Sequence, residues 1–73
     1  MAKTHVKNNI RKLRFANDEM TQQQLAEIVG VTRQTIMAIE KEKYSPSLEA
    51  AFKIAAALGE SFDAVFSYDA KGE

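Results

Sequence analysis

The stretch Thr21 to Lys41, TQQQLAEIVGVTRQTIMAIEK, constrains the fold most, because a helix-stop signal and a helix-start signal stand only two positions apart in it. Thr21 is an N-cap: its hydroxyl can accept from the Gln24 amide while the Gln24 side chain reaches back to the Thr21 amide. Gly30 stands where the helix so begun would end in a left-handed residue, a conformation that costs glycine almost nothing. Only Val31 then precedes Thr32, a second N-cap, so another helix starts at once. Two helices joined this tightly must cross steeply, and the crossing point has no room for a large side chain. Ala26 suits that point, while Leu25, Val29, Val31, Ile36 and Ile39 are the apolar positions that lock the pair.

Helical periodicity extends over the rest of the chain. Val6, Ile10 and Leu13, spaced i, i+4, i+7, form the apolar stripe of a first helix whose other faces carry Lys7, Arg11, Lys12 and Arg14. Asn17, Asp18 and Glu19 interrupt it as a turn, with Phe15 and Met20 expected to fold inward on either side. After the tight pair, Tyr44, Ser45 and Pro46 break the chain and Ser47 caps a fourth helix, crowded with Leu48, Ala51, Phe52, Ile54, Ala55 and Leu58. Gly59 ends that helix, and Ser61 caps a short fifth one holding Phe62, Val65 and Phe66. No segment alternates apolar and polar residues long enough to indicate a strand. The expectation is an all-α, five-helix domain spanning 1–73, with the helix-turn-helix at 22–41 and residues 67–73 as a frayed tail.

Composition bounds the chemistry. At 73 residues the chain can bury one small core. It has no Cys and a single His, so disulfide frameworks, thiolate metal sites and cysteine nucleophiles are excluded. His5 has no second ligand beside it, the carboxylates of Glu40 and Glu42 face different sides of a helix, and there is no glycine-rich phosphate loop. The reading is therefore no enzyme, no metal and no cofactor. The longest wholly apolar stretch, Ile54 to Leu58, is far shorter than the roughly 20 residues of a membrane span, so a cytoplasmic protein is expected. Formal net charge is zero, but it is segregated. Residues 1–43 carry eight Lys and Arg against five Asp and Glu, whereas residues 44–73 carry two against five. Residues 1–17 hold five positive charges and no acid, a footprint for a polyanion.

These residues resemble the helix-turn-helix regulators of the phage Cro and CI repressor type, the XRE family. The matching text is TQQQLAEIVGVTRQTIMAIEKEKYSPSLEAAFKIAAALG with NNIRKLR before it, and the resemblance covers residues 7 to 66. It implies a compact bundle of the phage-repressor DNA-binding type, with double-stranded DNA as partner and Thr32 to Glu42 as the helix entering the major groove. Arg33 could then donate two hydrogen bonds to guanine and Gln34 pair bidentately with adenine. Met37 and Ala38, one turn further on, could touch thymine methyl groups, and Thr35 is a lesser base contact. Gln22 matches the family's phosphate-binding glutamine at a helix N-terminus. Thr32, Lys41, Lys43, Tyr44, Arg11 and Arg14 complete the phosphate set, the alternative for each being an ordinary solvated side chain. Glu40 is expected to tie the recognition helix to Arg14 or to a neighbouring amide rather than to contact DNA, because a carboxylate close to phosphates is repelled. Two departures stand out: the loop FANDEM is one residue longer than usual, and Glu42 replaces a common Gly where a left-handed turn would be strained.

One copy offers few base contacts, so the expectation is a homodimeric regulator of the repressor kind on a palindromic operator, in a prokaryotic cytoplasm or nucleoid. Phe62, Val65, Phe66 and Tyr68 are its expected dimer interface. The competing reading is an antitoxin-like or adaptor module on the same fold, with a protein partner docked on the acidic C-terminal half.

Overall fold

The Thr21 hydroxyl accepts from the Gln24 amide at 3.0 Å and the Thr21 amide donates to Gln24 Oε1 at 2.8 Å. The reciprocal cap thus forms in the computed structural model, which describes residues 4–69. The elements in chain order are β1 Val6–Asn8, α1 Ile10–Ala16, α2 Gln22–Val29, α3 Arg33–Glu40, α4 Leu48–Leu58, α5 Phe62–Val65 and β2 Phe66–Tyr68. Thr32, Ser47 and Ser61 cap α3, α4 and α5, each accepting from the backbone amide three residues ahead.

Three helices end on a left-handed residue: Gly30 at φ 87°, Glu42 at φ 62° and Gly59 at φ 70°. At each, the next amide reaches back five residues into the helix: Val31 to Ala26, Lys43 to Ala38 and Glu60 to Ala55. The turn after α3 therefore shortens the recognition helix expected to run to Glu42, which ends at Glu40. Glu42 holds its conformation through three contacts. Its amide donates to the Ile39 carbonyl, its carbonyl accepts from the Thr4 amide at 3.0 Å, and its carboxylate meets Lys7 Nζ at 3.2 Å.

The expected five helices are present, but the fold is not all-α. Val6 leaves the first helix's stripe and lies in β1, which pairs antiparallel with β2 in the register Val6↔Tyr68, Lys7↔Ser67, Asn8↔Phe66. Ser67 to Asp69 are thus tied into structure rather than frayed, the Asp69 amide donating to the His5 carbonyl at 2.9 Å. Residues 70–73 of the expected tail lie outside the described residues. Three-residue strands are too short to show an alternating pattern, and each finds its partner some 60 positions away, so no local signal marks them.

The core is Ile10, Leu25, Ala26, Val29, Ile36, Ile39, Ala51, Ile54, Ala55, Leu58, Val65 and Phe66. Ala26 is 1% exposed at the α2–α3 crossing, and Val31 packs on the core from the turn. Met20 folds inward as expected. Phe15 does not: it is 60% exposed, because α1 turns Ile10, Leu13 and Arg14 toward the core and leaves Phe15 on the far side. Phe52 at 54% and Leu48 at 68% are likewise outside, since α4 buries only the face formed by Ala51, Ile54, Ala55 and Leu58.

Candidate nucleic-acid interface

Placing Thr32 as the cap leaves Arg33 and Gln34 as the first two residues of α3, where their side chains clear the packing face of Ile36 and Ile39. Both are exposed, and neither makes a side-chain hydrogen bond or ion pair among the described residues. Two long polar side chains at the start of a rigid helix, without internal partners, are free to donate and accept outward. Thr35 differs. It is half-buried, its amide donates to the Thr32 hydroxyl at 3.1 Å and its own hydroxyl lies 3.0 Å from that oxygen, so its polar groups already serve the cap. Met37 and Ala38 are half-buried, offering only part of their apolar surface.

Behind the outward face of α3 lies an open groove of about 400 Å³, lined by Arg11, Arg14, Phe15, Gln22, Met37, Glu40 and Lys41. It brings together five of the residues expected from sequence to contact DNA: Arg11, Arg14, Gln22, Met37 and Lys41. They do not play one role. The Arg14 guanidinium donates from Nε and Nη2 to the two Glu40 carboxylate oxygens at 2.7 and 3.2 Å, and from Nη1 to the Met20 carbonyl at 2.8 Å. Its side chain is 11% exposed and that of Glu40 8%. The guanidinium expected to bind phosphate is thus turned inward, and its function is to fix α3 and the α1–α2 loop to α1. The tie between Glu40 and Arg14 is present as read from the sequence.

Gln22 extends the same network, its Nε2 donating to Glu40 Oε1 at 3.1 Å. As the first residue of α2 it also stands among backbone amides that the helix leaves without internal acceptors, a favourable place for an anion. Arg11, Lys41, Lys43 and Tyr44 are exposed, with Lys41 and Lys43 flanking the left-handed turn at Glu42. Around the buried Arg14–Glu40 pair the groove therefore presents cations at its rim. Asn8 was not foreseen as a contributor. It accepts from the Ile10 amide and donates to the Ile39 carbonyl at 2.8 Å, tying β1 to the end of α3.

The four residues expected to form a dimer interface do not share a surface. Val65 is 0% exposed and Phe66 6%, both inside the core, and Phe62 is half-buried. Only Tyr68 stands out, 68% exposed with its ring 6.1 Å from that of His5. Among the described residues no group of three or more His, Cys, Asp or Glu is placed to hold a metal. No helix there is long and apolar enough to cross a membrane.

A family model described as helix-turn-helix matches residues 10–65. The chain is 48% identical over 64 residues to an uncharacterized HTH-type transcriptional regulator of Methanocaldococcus jannaschii, covering 88% of this chain and 96% of that one. It is 48% identical over 61 residues to the uncharacterized HTH-type transcriptional regulator YgzD of Bacillus subtilis, covering 84% and 91%. Among solved structures, a proposed DNA-binding protein from Bacteroides fragilis superposes with a TM-score of 0.74 at 27% identity, over 85% of this chain and 98% of that one.

Proposed function

The chain belongs to the helix-turn-helix family of the phage Cro and CI repressor type, and from that premise we propose that it is a DNA-binding transcriptional regulator that represses by occupying its operator as a homodimer. One observation carries the reading: Arg33 and Gln34 stand unpartnered on the first turn of α3, beside a groove rimmed by Arg11 and Lys41. Arg33 reads a guanine through O6 and N7, and Gln34 reads an adenine, in the major groove. Met37 and Ala38 add apolar contact with thymine methyl groups, and Thr35 is kept on the cap. Gln22, Thr32, Arg11, Lys41, Lys43 and Tyr44 fix the register on phosphates without reading sequence.

The whole described chain works as one DNA-binding unit, with α1, α4 and the small sheet holding the two-helix reader in place. Relatives in an archaeon and a bacterium support a prokaryotic setting. Two copies bind half-sites about 34 Å apart, so the operator is an approximate palindrome. Selection of bound sequences from random DNA tests this reading. A recovered inverted repeat with a guanine whose preference disappears in Arg33→Ala supports it; recovery of no common sequence overturns it.

A further inference from the structure

The exposed apolar residues of this chain are mostly scattered, and scattered ones need no explanation. Leu48 and Phe52 are different. They lie one turn apart on the outer side of α4, 68% and 54% exposed. The Phe52 ring is 5.0 Å from that of the half-buried Phe62, which in turn is 5.3 Å from the core residue Phe66. The apolar surface thus runs unbroken from the core to solvent. Beside it on the same helix stand exposed Ala56, small enough to let another backbone approach, and the pair Glu49 and Lys53, 3.2 Å apart with side chains 79% and 54% exposed.

We infer that this face of α4 is where a second copy of the chain docks. The inference rests on the dimeric reading above and replaces its interface. The charge pattern selects the occupant. When two copies of α4 cross antiparallel about a two-fold axis level with residue 51, position 49 of each lies beside position 53 of the other. Glu49 then meets the partner copy's Lys53 twice, on one flank of an apolar strip formed by Phe52 and Ala56, with Leu48 and Phe62 on the other flank. The surface is complementary to itself, as an isologous interface must be. It is also small, which suits a dimer completed on DNA, where two half-sites hold the copies at high effective concentration.

Charge-reversal variants of the full chain test this. Glu49→Lys and Lys53→Glu each place like charges across the axis, so in sedimentation equilibrium with and without operator DNA each alone should pair, free or on the operator, at least tenfold more weakly than the unaltered chain. Mixed together, they should form heterodimers as tight as the original, because both cross-copy pairs are then of opposite sign. Within each chain the 49–53 contact stays repulsive on mixing, so recovery reports the partner alone. Phe52→Asp should abolish association while Tyr68→Asp leaves it intact, with circular dichroism confirming that both fold. If the unaltered chain stays monomeric at tens of micromolar and binds DNA one to one, the dimeric reading fails and this inference with it. If the chain dimerises but Phe52→Asp has no effect, or mixing restores nothing, the dimer stands and this face is wrong.

Discussion

Arg33 and Arg14 are both arginines near α3, yet their surroundings assign them opposite tasks. Arg33 is solvated and unpaired, so its removal leaves the fold alone and should weaken operator binding by about 1–3 kcal/mol, with preference lost at one guanine. A titration showing the same loss on unrelated DNA would deny it a base-reading role. Arg14 is buried and bound to Glu40 through two nitrogens. Arg14→Met strands a carboxylate that is 8% exposed, keeping only the Gln22 amide as partner, which costs about 3–5 kcal/mol. Replacing Glu40 with Leu in the same chain should recover part of that loss, and urea unfolding of the single and double variants measures the coupling. A strictly additive pair would mean that the guanidinium and carboxylate are not energetically linked.

At the level of helices and turns, what was legible in the sequence was what is local. Thr21, Gly30, Thr32, Ser47, Gly59 and Ser61 act on the backbone within a few residues, so the cap pattern identified every helix from α2 to α5. The sheet was illegible because Val6 and Tyr68 carry no information about each other until the helices bring them together. The same limit applies to the site. Arg33 and Gln34 follow from the start of α3, whereas separating Arg14 from Arg11 requires knowing how α1 docks on α3. Likewise, the apolar pattern set Val65 on a dimer interface and Phe52 on a crowded helix, and only packing shows that Val65 is 0% exposed and Phe52 54%. The left-handed ends allow a paired test. A Cβ at Gly30 would meet nothing within 4 Å, so Gly30→Ala suffers only from its φ of 87° and should cost about 1–2 kcal/mol. Glu42→Gly relieves the same strain while giving up the Lys7 ion pair, a half-buried contact still open enough to solvent to be worth about 1 kcal/mol. Its unfolding midpoint should equal or exceed that of the unaltered chain. A fall as large as that of Gly30→Ala would show that the Lys7 contact governs the turn.

For the molecule as a whole, zero net charge with a basic first 43 residues means that attraction to DNA is local rather than global. Affinity should fall as salt rises, through release of counterions from the few phosphates contacted, and Lys43→Gln should lower that slope by about one unit without changing sequence preference. An unchanged slope removes Lys43 from the phosphate set. The body measures 33 × 22 × 21 Å, so two copies side by side can set their α3 helices one turn of DNA apart, about 34 Å. The small sheet has a kinetic consequence. Because His5 bonds Asp69 and Asn9 bonds Val65, closing β1 on β2 makes a ring of nearly the whole chain, while α2 and α3 meet through neighbours in sequence. Ring closure carries the largest loop entropy in the fold and is secured by two strands of only three residues each, so it comes last in folding and opens first in the native state. In hydrogen exchange, the amides of Asn9 and Asp69 should therefore lose protection at lower denaturant than that of Ile39. The opening also frees Asn8 from the Ile39 carbonyl, so the end of α3 loosens whenever the two ends of the ring part.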